Sequence, residues 1–358
     1  MQLGERLRLT LFGTSHGPRV GALLEGVPKG LRVDETAIAQ AMATRRPGGR
    51  YASKRKEQDC VEFLSGIVEG KTTGASIELS IENQDAKSKD YNFLPHHPRP
   101  GHQDMVMHKR TKGEADLRGG GMSSARLTAP LVAAAAFVAP LLAPLGIKAE
   151  AQVGAIGNVE AGEMEHQPAR WSTDACKEMR CRDPDAAEAM VNLVESQRMN
   201  LNSIGSRVDL IVTGTPLGLG EPWFDGIEPA MARAMMSIPA ARGVTFGRGF
   251  NVVNMTGLEH NDAWGGSPES PTPLGERPDG VLAGLATSAP IRCSVAFKPP
   301  SSIASEQKTL HLESGAIEPL TVKGRHDPVL GPRAVAVVEA MAILVLTDLA
   351  LRGGFIDG

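Results

Sequence analysis

The chain has 358 residues, 41% of them hydrophobic, which is enough to bury a large core and argues against a disordered polypeptide. Lysine and arginine number 38 against 41 aspartates and glutamates, so nothing global points to a nucleic acid and the expected partner is a small anion. Four cysteines, at 60, 176, 181 and 293, form no C-x-x-C pair and no zinc spacing, which suits a reduced, cytoplasmic protein.

The first residues, Met1-Gln-Leu-Gly-Glu-Arg6, lack the charged-then-apolar pattern of a secretory signal and lead into a strand. Leu7, Leu9 and Leu11 alternate on one face of it, and Ile77, Leu79 and Ile81 do the same over 75–81. Val208, Leu210 and Val212, then Cys293, Val295 and Phe297, repeat the period of two. Helices are predicted over 35–44 behind Asp34 as a cap, over 184–197 behind Asp183, and over 229–236. The apolar run 127–147 is about as long as a membrane span, but Pro130, Pro140 and Pro144 interrupt it, so it reads as buried helix and turn. The run 332–351 carries Glu339 and Asp348 and begins with Pro332 at a first helical position, which suits a core helix. No membrane is required. Half-polar alternating strands predict a mixed α/β (α+β) chain of largely antiparallel sheets layered with core helices. No linker or internal repeat divides residues 1–358, so a single domain is expected.

Chemistry is concentrated between His96 and Arg126. Asp116-Leu-Arg-Gly-Gly-Gly-Met-Ser-Ser-Ala-Arg126 sets three glycines between Arg118 and Arg126, followed by Ser123 and Ser124, just before an alanine-rich helical run. Glycine lets backbone N–H groups converge on an oxyanion, and guanidinium groups add paired hydrogen bonds, so the outline is an anion cradle. Upstream, Pro100 and Gly101 set His102 on a turn, where an imidazole can give a proton to a leaving phosphate. His102, Asp104 and His108, with His96 and His97 nearby, also resemble a metal-ligand cluster of the kind a phosphohydrolase uses.

Four further clusters share this character. Gly13-Thr-Ser-His-Gly17 presents Ser15 and His16 at a strand end. Arg45-Arg46-Pro-Gly-Gly-Arg50 is a basic turn after a helix. Lys298-Pro-Pro-Ser-Ser302 ends a strand with a cation and two hydroxyls. Gly324-Arg-His-Asp-Pro328 precedes Pro332-Arg333 and a long helix, and the cations beside Asp327 favour a carboxylate that can act as a base. There is no G-x-x-x-x-G-K-[ST] and no G-x-G-x-x-G after a strand. Residue types and spacing therefore reach an enzyme acting on a phosphorylated, carboxylated metabolite.

Taken in order, these clusters resemble the chorismate synthase family over nearly the whole chain. GTSHG is similar to the family's GESHG, RRPGGR to its RRRPG turn, and DYNFLPHHPRPGHQD to its DY…RPGHAD. DLRGGGMSSAR is similar to RGGGRSSAR, and GRHDPVLGPRAVAVVEAM to GRHDPCxxPRAVPVVEAM. The resemblance implies a layered β-α-β sandwich, usually a homotetramer. It also implies 1,4-anti elimination of phosphate and a ring proton from 5-enolpyruvylshikimate 3-phosphate, with reduced FMN and no net redox change.

Carried over residue by residue, the resemblance implies that His102 protonates or stabilises the departing phosphate, His16 sits near flavin N1, and Asp327 assists proton transfer at N5. Ser15 and Ser124 support these roles by hydrogen bonding. Flavin contacts fall on Met122, Ser123, Ser124, Pro239, Ala240, Ala283, Lys298, Pro299, Pro300, Ser301, Ser302 and Arg325. Arg45 and Arg50 lie at the outer anionic or nicotinamide side, and Arg46, Arg118, Arg126 and Arg333 meet the substrate. The reductant is either NADPH or an external donor. The sequence departs from the family at Thr14, where the family has glutamate, at Met122, where it has arginine, and over 283–288, where it has a GGISNG-like turn. A metal-dependent phosphohydrolase and a flavin-binding relative without turnover are the alternatives.

Overall fold

The computed structural model describes residues 1–46, 59–84, 88–168, 170–323 and 327–357. Among these, alternating apolar and polar residues build two five-stranded antiparallel sheets. The first runs in the order Gln2–Leu3, Arg8–Gly13, Arg19–Glu25, Ile77–Glu82, Glu62–Phe63. The second runs Ala241–Phe246, Ile291–Phe297, Ser206–Thr213, Lys148–Ile156, Val159–Glu160. The period of two holds in both: Val20, Ala22 and Leu24 are fully buried, as are Ile77, Leu79 and Ile81 on the neighbouring strand. In the second sheet Val208 pairs with Val295 and Leu210 with Cys293, all on the core face.

The helices are α1 (Glu35–Arg45), α2 (Asp104–Arg110), α3 (Thr128–Val138), α4 (Asp174–Met179), α5 (Pro184–Met199), α6 (Ile227–Met236), α7 (Gly257–His260) and α8 (Gly331–Arg352). Predicted caps perform as expected: Asp34 accepts from the Ala37 N–H at 2.9 Å, and Asp183 from those of Asp185 and Ala186. In the run 127–147, α3 stops at Val138 and gives way to two 3₁₀ turns carrying Pro140 and Pro144, because proline cannot continue the helical ladder.

Helix α3 lies on the first sheet and α8 on the second, and the two helices pack against each other, with α1 touching both and α6 beside α8. The order is sheet, helices, sheet. The stretches 118–141 and 331–352 are long and apolar enough to cross a membrane by length and composition, but 67% and 89% of their apolar windows are buried inside the fold. Alanines at 129, 133, 134 and 135 leave α3 thin enough to sit in this middle layer. The ends of the described chain meet there. Oδ1 of Asp348, on α8, accepts from the backbone N–H groups of Glu5, Arg6 and Leu7 at 3.1, 2.7 and 2.8 Å. Gly4 makes this turn with φ +81°, and a Cβ there would lie 2.0 Å from the Leu7 carbonyl oxygen.

Candidate active site

His102 sits between a turn and the start of α2, and its ring is held from behind. Asp104, fully buried in the first turn of α2, places Oδ1 2.6 Å from His102 Nδ1. Arg99 grips the same carboxylate through Nε at 2.7 Å and Nη2 at 2.8 Å, and its backbone N–H donates to Oδ2 at 3.1 Å. Burial alone would raise the Asp104 carboxyl, but hydrogen bonds from Arg99 and His102, and their charges, outweigh it and hold the group well below the usual carboxylate range. An ionised carboxylate at this distance accepts, so Nδ1 carries the proton and Nε2 is left for chemistry. The reading of His102, Asp104 and His108 as a metal set is corrected here: the Asp104 oxygens are committed to Arg99 and His102. His108 faces a different cavity, with Gly113 and Arg118.

The glycine run lies against both histidines. Gly119, Gly120 and Gly121 have φ of 59°, 90° and 54°, a left-handed series that other residues resist. A Cβ on Gly119 would fall 2.6 Å from His16 Cε1 and 2.8 Å from Ser15 Oγ, and one on Gly120 would reach within 3.8 Å of His102 Cε1. Ser15, also buried, donates its hydroxyl to the Arg118 carbonyl at 3.0 Å. Its Oγ is therefore the acceptor for His16 Nδ1 at 3.1 Å. Tyr91 presses edge-on to the His16 ring at 5.1 Å. The expected helix N-terminus does not follow the glycines directly. Ser124 caps a 3₁₀ turn, Ala125–Leu127, by accepting from the Arg126 N–H at 3.2 Å, and α3 begins only at Thr128.

The Lys298 turn closes the other wall. Lys298 Nζ and Ser301 Oγ both donate to the Gly101 carbonyl, at 2.5 and 2.8 Å, and Arg99 Nη1 donates to Ser302 Oγ at 3.1 Å. Burial, and then the charge of Arg242, lower the Lys298 pKa. Between these walls is a cavity of about 570 Å³ lined by His102, Gly119, Gly120, Ser123, Ser124, Pro239, Ala240, Arg242, residues 298–302 and Asp327. Asp327 also borders a cavity of about 690 Å³ with Arg46 and Arg333, and Arg333 Nη1 donates to its Oδ2 at 2.5 Å.

Several expected contacts lie elsewhere. Arg45 is not at an outer anionic rim. It is 3% exposed and donates to Asp59 Oδ2 at 3.0 Å, to Thr128 Oγ1 at 3.1 Å and to the Ala125 carbonyl at 3.2 Å. Arg126, expected at the substrate, is 5% exposed and bonds to Asp59, to Asn83 Oδ1 at 2.8 Å and to the Glu82 carbonyl at 3.0 Å. Arg118 turns to Asp116, with both Nε and Nη2 at 2.8 Å, and lines the cavity that holds His108. Met122, with Met1, Leu9, Leu11 and Met341, lines a neighbouring apolar cavity of about 310 Å³, which shares Ser123, Ser124 and Pro239 with the main one. Ala283 sits at a tight turn between Val281–Leu282 and Leu285–Ala286 with φ +52°, outside the lining of the main cavity. Arg50 and Arg325 lie outside the described residues. The residues not foreseen are Arg99 and Asp104 as orienters of His102, Arg242 beside Lys298, and Gln103, whose Nε2 donates to the Gly120 carbonyl at 2.5 Å. The spacing Arg-x-x-His-x-Asp over 99–104 was the available signal for the first two.

A flavin mononucleotide fits this donor set. The cavity falls in the range of cofactor sites, about 300–1,000 Å³, and Gly120 keeps one wall free of a side chain. Lys298, Arg242, Ser301 and Ser302 offer cations and hydroxyls to an anionic ring and phosphate.

The family model for chorismate synthase matches residues 7–351. The chorismate synthase of Aeropyrum pernix is 46% identical over 353 residues, spanning 98% of this chain and 92% of that protein. That of Methanosarcina mazei is 40% identical over 355 residues, spanning 99% and 97%. A crystal structure of a chorismate synthase aligns with a TM-score of 0.74 at 28% identity, covering 98% of this chain and 93% of that one. Apart from the edge strand Gln2–Leu3 and the last residue of α8, both sheets, the helices between them and the loops that bring His16 and His102 to one glycine run fall within residues 7–351, and the chain belongs to the chorismate synthase family.

Proposed function

We propose that the chain converts 5-enolpyruvylshikimate 3-phosphate to chorismate by 1,4-anti elimination of phosphate and a ring proton, with reduced FMN and no net redox change. The observation that carries the residue assignment is the His102–Asp104–Arg99 arrangement. Asp104 supplies a buried counter-charge at Nδ1, so His102 can present a proton at Nε2 to the departing phosphate. Reduced FMN, when bound, lends electron density to the allylic system as phosphate leaves. Ser123, Ser124, Pro239, Ala240 and the Lys298–Ser302 turn hold it, and Gly119 keeps His16 upright against Ser15. The ring proton lost as phosphate leaves would pass to the Asp327 carboxylate, oriented by Arg333, its C–H electron pair going into the new double bond, and Arg46 and Arg333 attract the anionic groups of the substrate.

The chain acts as a single domain, which the packing of α3 on α8 between the sheets supports. It assembles as a homotetramer in the cytoplasm. The adjacent Trp223 and Phe224, 81% and 89% exposed, with Phe250 and Leu258 at 83% and 97%, are the apolar side chains that support assembly. An anaerobic assay with pre-reduced FMN tests the reaction. Chorismate is expected without any other electron donor, and its absence when FMN and substrate both bind would overturn the proposal. The same assay with oxidised FMN and NADPH decides whether the chain reduces its own flavin or depends on an external donor.

A further inference from the structure

His96 and His97 precede the active-site loop, and the proposed reaction uses neither. Both face a hairpin of Gln307–Leu310 and Ile317–Leu320, whose turn carries His311, Glu313 and Ser314. His97 Nε2 lies 2.9 Å from Glu318 Oε2, and His311 Nδ1 lies 4.0 Å from Glu318 Oε1. The His311 ring is 4.5 Å from that of His97 and stacks on His96 at 5.8 Å. One donor atom each from His97, His311 and Glu318 falls within 4.8 Å of the others, and all three residues are half-buried. The overlapping set of His96, His311 and Glu313 shares His311 but includes an exposed carboxylate. A hydrogen bond explains the His97–Glu318 pair; it does not explain why a second imidazole converges on the same carboxylate.

We propose that His97, His311 and Glu318 bind one divalent transition metal of the zinc type. Two imidazoles and a carboxylate are a donor set that Zn²⁺ takes at about 2.0–2.2 Å, which spaces tetrahedral donors about 3.4 Å apart. One donor atom from each residue already lies within 4.8 Å of the other two, so side-chain rotation brings the three to that spacing, with water as the fourth ligand. Ser314 supplies the outer support such sites use: its backbone N–H donates to His311 Nδ1 at 3.2 Å, which leaves Nε2 as the ligating nitrogen, and its Oγ donates to Glu318 Oε1 at 3.2 Å. The hairpin is already docked here. The Leu312 N–H donates to the His96 carbonyl at 2.9 Å, and Thr309 Oγ1 to the Pro98 carbonyl at 2.5 Å. Because Pro98 adjoins Arg99, the metal fastens the hairpin to the segment that carries the orienting arginine. Its contribution is to folding and loop position. The site stands whether or not the proposed reaction does.

The test uses the full chain, stripped with a chelator, dialysed and titrated with ZnCl₂ by calorimetry, with thermal midpoints recorded alongside. About one equivalent is expected per chain, with a higher midpoint, as for any ligand that binds only the folded state. His97→Gln and His311→Gln are each expected to weaken binding roughly 100-fold and to abolish the thermal gain. His108→Gln, whose ring lies in another cavity, binds as the parent does. Metal-free midpoints matching the parent show that the variants fold. Failure of the parent to bind, or binding that survives both His97→Gln and His311→Gln, overturns the proposal. Loss of binding in His96→Gln with retention in His97→Gln overturns this choice of donors.

Discussion

The ring of His102 is oriented by a carboxylate with no solvent exposure, so chemistry and position separate under mutation. At saturating reduced FMN and substrate, His102→Ala is expected to lower the single-turnover rate by about 10²–10⁴-fold with little change in FMN affinity, since acid help acts only as the bond breaks. Asp104→Ala removes the partner of buried Arg99 as well as of His102, and is expected to cost about 3–5 kcal/mol of stability. The pH dependence has a fixed sign. The folded Asp104 pKa lies below its unfolded value, so its stabilisation is complete above that value, about 3.9, and fades as pH falls through the lower folded pKa. Acid unfolding curves of the parent steepen in that window, and Asp104→Ala loses that part of the slope. Gly119→Ala strains a φ of 59° and drives Cβ into His16, so activity is expected to fall sharply in chain that still folds by circular dichroism. His16, Ser15 and His102 were legible because each sits in a short glycine-flanked motif. The role of Asp104 was legible only as a generic acidic group, since the sequence does not say which neighbour a carboxylate faces.

Elements were read best where one period dominated. The strands at 8–13, 77–82, 206–213 and 291–297, and helices α1, α5 and α8, fall within a few residues of expectation because their apolar faces are continuous. The pairing of Arg45 and Arg126 was hidden from the sequence for a physical reason. A cluster of arginines looks like an anion site until its counter-charge is found, and here that is Asp59, 14 residues from Arg45 and 67 from Arg126, with no local pattern to announce it. Asp59 holds φ +51°, which asparagine tolerates, so Asp59→Asn isolates the charge. It is expected to destabilise the chain by about 3–5 kcal/mol, because two buried guanidiniums lose their shared carboxylate. A denaturant titration checks this. A loss under about 1 kcal/mol, the scale of an exposed pair, would return both arginines to a ligand role.

For the whole molecule, layering was legible from composition and period, but strand order was not, since partners such as Arg19–Glu25 and Ile77–Glu82 are joined by pairing that no local signal encodes. Light scattering is expected to give four chain masses, and Phe224→Asp with Leu258→Asp to give smaller species of unchanged secondary structure; a parent that elutes as one chain rejects the assembly. The grip of Asp348 on residues 5–7 has a further consequence, one of timing. A chain made from its first residue to its last presents those three N–H groups hundreds of residues before their acceptor exists, and the loop to be closed spans 341–343 positions. Entropy charges for that closure only logarithmically, so the delay is set by synthesis more than by diffusion. Released chains that stop before position 348 are expected to stay open to protease at the amino end, and released chains that include it to be resistant together with α8. Residues 5–7 are thus made long before Asp348 and are among the last of the described segments to be secured.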